Sequence, residues 1–265
     1  MKALARELPA GGRMVIKEMV RKAILAGAKS RGYQLIPFWK MDEVPLANHL
    51  GRVFAQYDIQ IVVDVGANRG QYHDFLRRDV GFQGRIISFE PVNAYAKVLR
   101  SRLSEDAQWT VHDCALGSEP GEAEINVTQS PGLHSFLAAR TDVVKDLWRE
   151  GSIVGVEKVR IRTLDDVLVE AGIDCTASGV YLKIDTQGFD LEVIKGARHS
   201  LKNIRALQTE ASIRPIYHGM PPYSETISVM NENSFQLSGM FPVNHDKNLR
   251  LIELDFVFVN DAFAK

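Results

Sequence analysis

The stretch Ile61-Val62-Val63-Asp64-Val65-Gly66-Ala67-Asn68-Arg69-Gly70 decides how the rest of this chain is read. A β-branched apolar run ends in an acid and a glycine-punctuated turn, directly ahead of an amphipathic stretch. A second apolar run, Ile86-Ile87-Ser88-Phe89, ends in Glu90-Pro91, with Glu90 twenty residues beyond Gly70. Strand, glycine turn, helix, strand, acid is the layout of a nucleotide-binding βαβ unit. Its glycines admit close backbone approach, and its distant acid accepts hydrogen bonds from ribose hydroxyls. Asn68 stands where a dinucleotide fingerprint needs the glycine that makes room for a pyrophosphate. An acid at Asp64 would also repel phosphate and suit a cation. The local pattern therefore asks for a ligand with a ribose, a positive charge and no phosphate.

S-adenosylmethionine meets those three conditions, and the surrounding pattern agrees with it. From Ile59 onward strands and helices alternate. Strands are predicted near 59–66, 85–90, 108–115, 180–186, 205–211, 235–242 and 251–259. Helices are predicted near 69–79, 92–104, 163–171, 188–201 and 223–233. Between the third and fourth of these strands lies inserted material. It comprises a turn at Gly117-Ser118-Glu119-Pro120-Gly121, a short strand at 122–128, a polar loop at 129–136, a helix near 141–149 and a strand near 157–163. Alternation implies a parallel sheet covered on both faces. The last two strands are joined only by a polar turn around Asn244–Asn248, too short for a crossover, so they should pair antiparallel. The expected fold is thus α/β, the Rossmann-like class I methyltransferase sheet of seven strands, mostly parallel, with a C-terminal antiparallel hairpin and a helical N-terminal extension. The expected division is a basic extension over 1–50 and a ligand-binding domain over 51–265.

Ligands of open α/β sheets bind beyond the carboxyl ends of the strands, and polar groups end all five parallel strands here. The first offers Asp64, Gly66, Ala67, Asn68 and Gly70; the second offers Glu90 and Pro91. The third ends in Asp113-Cys114-Ala115, the fourth in Asp185-Thr186-Gln187-Gly188 and the fifth in Glu210. Each residue alone has a plainer reading: Asp64 as a helix cap, Glu90 as a solvated strand end, Asp113 as a turn former. Together they favour binding of an adenosyl ligand, with Asp113 directed at the adenine amino group. Lys183, inside an apolar strand, needs an anionic partner, and Asp185 or Glu210 could supply it.

Composition sets the frame. The 265 residues, 45% hydrophobic and 25% charged, suit one large globular domain with an appendage. No apolar run is long enough to span a bilayer and no signal-peptide pattern opens the chain, so a cytoplasmic location is expected. Cys114 and Cys175 show neither a disulfide framework nor metal-ligand spacing and are expected as reduced thiols. The net charge of −1 is uneven: residues 1–40 carry nine Lys/Arg against Glu7 and Glu18, leaving −8 for the remainder. Within residues 13–29, Val15, Ile16, Met19, Val20, Ala23 and Ile24 share a helical face. Packing of that face onto the main domain is the favoured reading, and peripheral contact with an anionic membrane face is the alternative.

The runs DVGANRGQY (64–72), FEP (89–91), ALGSEPGEAEINV (115–127), TLDDVL (163–168) and YLKIDTQGFDLEVIKGA (181–197), continued by Gln208-Thr209-Glu210, resemble the FkbM-type methyltransferases over about residues 50–260. The glycine turn is shared by many methyltransferases; the K-I-D-x-Q-G segment following T-L-D-D-V is far more specific. The resemblance implies methyl transfer from S-adenosylmethionine to a hydroxyl oxygen, commonly on sugars, polysaccharide units or polyketide-type products. It implies nothing about residues 1–50.

A hydroxyl is a poor nucleophile at neutral pH, so a general base is expected. Asp185 is the first candidate, because the fourth strand tip lies beside the expected methyl position. Glu210 is the second, and His218 and His134, on polar loops, are the third. Asp185 and Glu210 could hold Mg²⁺, but no metal is predicted. Insertions 129–155 and 212–226 should recognise the acceptor, the latter through Arg214, Tyr217, His218, Tyr223 and Glu225, groups suited to a saccharide or another small polar molecule. The acidic catalytic region argues against nucleic acid, and no Asn/Asp-Pro-Pro-aromatic segment marks amino-group methylation. Two competing classes are a nicotinamide-dependent oxidoreductase or epimerase, disfavoured by Asn68, Asp64 and the hairpin, and a non-catalytic adenosyl-binding scaffold. The sequence leaves oligomeric state open.

Overall fold

The computed structural model describes residues 19–264, except 21, 29, 34 and 144–151. Two units are separable, residues 1–44 and 45–265. In the first, residues 22–28 are helical, which covers part of the expected N-terminal helix; its beginning at 13–18 lies outside the described residues.

In the second unit the sheet has seven strands. Five are parallel: β1 (Ile61–Val65), β2 (Arg85–Phe89), β3 (Trp109–His112), β7 (Val180–Ile184) and β8 (Ala206–Ser212). β9 (Phe235–His245) and β10 (Leu251–Asn260) form an antiparallel hairpin, giving the order β3-β2-β1-β7-β8-β10-β9. β10 runs antiparallel to both neighbours, with Phe256 opposite Thr209 and Met240. The hairpin turn is held by Asp246, whose carboxylate accepts from the backbone N–H groups of Asn248 and Arg250. That local stitch explains why so short a connection reverses the chain.

Strand periodicity sorts the side chains into two cores. Val63, Val65, Ile87, Phe89, Leu182 and Ile184 face α4 (Leu164–Glu170), α5 (Asp190–Lys195) and α6 (Tyr223–Glu232). Val62, Ile86 and Tyr181 face the other way, onto α1 (Val44–Gln56), α2 (Gln71–Phe75, prolonged by a wider turn over Leu76–Val80) and α3 (Asn93–Arg102). A central strand buried on both faces must be apolar throughout. β1 is fully buried, and its one exception, Asp64, is therefore conspicuous.

Two expectations need correction. The third strand does not continue to Ala115: it stops at His112. Ala115–Leu116 then leaves as β4 to pair with β6 (Ile153–Arg162), itself paired antiparallel with β5 (Gly121–Thr128). The insertion thus builds its own three-stranded sheet beside the ligand end of the main one, and β6 begins earlier than expected. Of the helix expected near 141–149, residues 141–143 are helical and the remainder lies outside the described residues. Among the described residues, no helix is long and apolar enough to cross a membrane.

Gly66 shows why the first turn must be glycine. It has φ +82°, and a Cβ there would lie 1.9 Å from the carbonyl oxygen of Asp185. Gly66→Ala should therefore cost about 2–5 kcal/mol through strain and overpacking, read as a lower chemical-denaturation midpoint. A midpoint equal to wild type would show that β1 and β7 can part without penalty.

Candidate active site

The ends of β1, β2 and β7 and the start of β4 surround a cleft, closed on one side by the inserted sheet and its following loop. Gly66 and Asn68 form its floor, Glu90 and Pro91 one side, and Cys114 to Leu116 the end next to them. Asp185 to Gln187 form the opposite side, and Ile125, His134 and Phe136 lie over it.

Glu90 is 5% exposed. One of its oxygens accepts from the Asn68 N–H and the other from the Val92 N–H, each at 2.8 Å. It therefore ties the turn after β1 to the one after β2 while still presenting unused lone pairs to the cleft. Burial raises its pKa to about 7, against the two backbone donors that lower it. Between the ordinary carboxylate range and about pH 7 the folded chain holds a proton that the unfolded chain has lost. Glu90's contribution to stability therefore declines as pH rises through that window.

Asp64 does not reach the cleft. It is 0% exposed, lies beneath Gly66, accepts from Ser88 Oγ at 3.0 Å and pairs with Lys183 Nζ at 3.2 Å. Lys183 Nζ also lies 3.4 Å from Asp185 Oδ2, 3.3 Å from the Gly66 carbonyl and 5.0 Å from the centroid of the Tyr72 ring. Burial alone would lower the lysine pKa, but Asp185 and Asp64 outweigh it and raise it, so the ammonium stays charged. The pair neutralises the floor, and the repulsion of phosphate that the sequence suggests for Asp64 is offset by Lys183.

Asp185 and Glu210 are brought together, as read from their strand positions, but by a residue to which the sequence reading gave no role. Gln187 Nε2 donates to Asp185 Oδ1 at 3.0 Å and to Glu210 Oε2 at 2.7 Å, while its Oε1 accepts from the Tyr217 hydroxyl at 2.9 Å. The turn that places it is strained: Gln187 has φ +54°, costly for a residue with a side chain. Asp190 braces the turn, accepting from the Gly188 N–H and from Thr209 Oγ1. The signal in the sequence is the K-I-D-x-Q-G run, with Asp185-Thr186-Gln187-Gly188 at a strand end and a second acid, Asp190, at the helix start. Burial first, and Asp185 next, push the Glu210 pKa upward.

The two insertions form one wall. Arg140 N–H donates to Ile216 O and His218 N–H to Ala138 O, with Ala139 bridged to Tyr217. Leu133, Val143, Ile216, Tyr217 and Met220 pack together behind them. Gln187 anchors both, through Ser135 Oγ on its carbonyl and Tyr217 on its side chain. Within this wall His218 is exposed and is not among the cleft residues. Arg214, named above for the acceptor, is paired with Asp246 at 3.3 Å, and Tyr217 is buried. Asp113 points away from the cleft into an ion pair with Arg100, while its neighbours Cys114 and Ala115 line it. Gly70 precedes α2 and packs against Leu99, Arg102 and Trp109, and Ala67 is buried in the core; neither is among the cleft residues. Among the described residues no group of three or more His, Cys, Asp or Glu could hold a metal ion.

Gly66, Glu90 and Asp185, each just beyond the end of a different parallel strand, thus line one cleft. Residues 64–237 match the methyltransferase FkbM domain. The 2-O-methyltransferase NoeI of Sinorhizobium fredii (strain NBRC 101917 / NGR234) is 24% identical over 190 residues, covering 69% of this chain and 74% of that protein. Among solved structures, magnesium protoporphyrin IX methyltransferase from Synechocystis PCC 6803, with SAM bound, has a TM-score of 0.44 at 11% identity, covering 97% of this chain and 100% of that one. The Burkholderia thailandensis 1,6-didemethyltoxoflavin-N1-methyltransferase has a TM-score of 0.40 at 11% identity, covering 97% and 93%. With the family model spanning well over half of its length and the sheet ordered as the motifs require, the chain belongs to the FkbM methyltransferase family, and S-adenosylmethionine is its methyl donor.

Proposed function

We propose that this methyltransferase acts on oxygen, methylating a hydroxyl of a saccharide, polysaccharide unit or related natural product, with Asp185 as general base. The observation carrying the proposal is the position of Asp185: at the cleft, 37% exposed at its side chain, with each oxygen held by one donor and lone pairs left over. A base that must collect a hydroxyl proton needs that combination of reach and restraint. The relative's 2-O specificity supports an oxygen acceptor.

When bound, the sulfonium supplies a methyl group already activated for displacement. The chain supplies the rest. Glu90 holds the ribose, Gly66 and Asn68 set the depth of approach, and Cys114 to Leu116 border the base. Asp185 accepts the acceptor's proton as its oxygen attacks. Lys183 and Gln187 keep that carboxylate in one orientation, so alignment costs little at the moment of reaction. The proposed division is a basic N-terminal extension and a catalytic domain, with α1 packed as part of the latter. The exposed groups of the joined loops, Tyr223 and His218 among them, are where the acceptor is recognised.

Calorimetric titration with S-adenosylhomocysteine and with NAD, followed by mass-spectrometric assay of methyl transfer to free saccharides and to their amino-sugar counterparts, tests the proposal. Ribose hydroxyls favour the charged form of Glu90, so binding of S-adenosylhomocysteine near pH 7 should release protons, seen by comparing buffers of unlike ionisation enthalpy. Glu90→Gln should abolish that release and weaken binding. Methylation at nitrogen only would overturn the assignment to oxygen.

A further inference from the structure

His134 stands third among the candidate bases from sequence, yet its surroundings give it another task. Its Nδ1 lies 3.0 Å from the Thr128 backbone nitrogen, an N–H that can only donate. The nearby Thr128 hydroxyl directs its own proton to the Ser130 carbonyl at 2.8 Å. Nδ1 must therefore present its lone pair. Burial lowers the imidazole pKa, with Arg69 acting in the same direction and Glu157 against it, so the ring is neutral and its single proton resides on Nε2. That Nε2 is buried and has no partner among the described residues, although His134 lines the cleft.

Position narrows what the N–H meets. The ring stacks on Tyr95, 5.0 Å between centroids at 25°. Tyr95 sits in the first turn of α3, directly after Glu90-Pro91, on the β2 side of the cleft and so across the sheet from Asp185 on β7. The Arg69 guanidinium lies 5.2 Å from the centroid of the same Tyr95 ring. A buried donor left without an acceptor is costly, and the acceptors available on the β2 side are those of the nucleoside.

We propose that His134 is a fixed hydrogen-bond donor, through Nε2–H, to the nucleoside part of the methyl donor, and that it takes no part in deprotonating the acceptor. A ring whose only lone pair is already engaged by Thr128 cannot collect a proton. The loop that follows β5 thus serves the adenosyl end of the site, with His134 as its reading head. This deepens the assignment of S-adenosylmethionine and rests on it.

Two substitutions separate the ring nitrogens. His134→Asn keeps an acceptor for Thr128 and loses the Nε2 donor; His134→Gln reaches the Nε2 position and cannot act as a base. Calorimetry with adenosine and with S-adenosylhomocysteine should show both ligands weakened about tenfold in His134→Asn, the loss of one hydrogen bond, and a smaller loss in His134→Gln, which restores a donor at the Nε2 position but leaves the Thr128 N–H without its acceptor. In the unsubstituted protein, ring ¹⁵N resonances should report an Nε2–H tautomer whose Nε2 signal moves on adding adenosine, a readout independent of whether either variant folds. The inference is overturned by an Nδ1–H tautomer, by an unmoved Nε2 signal, or by a His134→Gln protein that binds normally but loses turnover a hundredfold. Failure of the unsubstituted protein to bind either ligand would instead remove the cofactor reading itself, and the inference with it.

Discussion

Asp185→Asn should lower methyl transfer by about 10²–10⁴-fold, the contribution of a positioned general base, and leave S-adenosylhomocysteine binding within a few-fold of wild type. Asparagine keeps the shape and an acceptor for Gln187 but cannot take a proton. The substitution spares the floor, because Lys183 retains Asp64 at 3.2 Å. Single-turnover rates and calorimetry on the same preparation separate the two effects. Glu210→Gln should be milder: Glu210 is not among the cleft residues and meets the site through Gln187. The reverse order of effects, a large loss in Glu210→Gln beside a small one in Asp185→Asn, would transfer the role of base to Glu210.

Lys183→Met should destabilise the fold by about 3–5 kcal/mol, since it strands a carboxylate with no exposure to solvent. Among the described residues Asp64 would keep only the Ser88 hydroxyl, whose own oxygen accepts from Trp109 Nε1. Adding Asp64→Asn should recover much of the loss, because breaking one half of a buried pair costs more than removing both. Denaturation of the two single variants and the double variant closes the cycle. A loss below about 1 kcal/mol in Lys183→Met would mean that Asp64 is relieved in another way, and the lysine would no longer account for an acid inside β1.

Much of this was legible in the sequence because it is local. The β-branched run, the glycine turn and Glu90 at the next strand end placed one half of the cleft, and the short link after β9 placed the hairpin. What escaped depends on partners distant in sequence. Asp64 reads as an acid at a strand tip and Lys183 as a cation inside an apolar strand with Asp185 or Glu210 as its partner; only the parallel register that sets Asp64 beside Lys183 adds Asp64 to that pairing. Asp113 reads as a ligand group until Arg100, in the last turn of α3, claims it. Gln187 stands inside the K-I-D-x-Q-G motif, yet its part as a clamp shows only when Asp185, Glu210 and Tyr217 converge on it. The inserted sheet escaped for a similar reason: β4 is two residues long, and periodicity has nothing to register in so short a segment.

The joining of residues 129–143 to 212–222 bears on how this scaffold changes its acceptor over evolutionary time. Each segment lends the other backbone hydrogen bonds, and both rest on Gln187. A graft that exchanges one segment for a relative's version leaves the other without its complement and loosens the catalytic turn. On the proposal that these loops recognise the acceptor, its preference is inherited as a matched pair of loops, and chimeras intended to redirect it should carry both together.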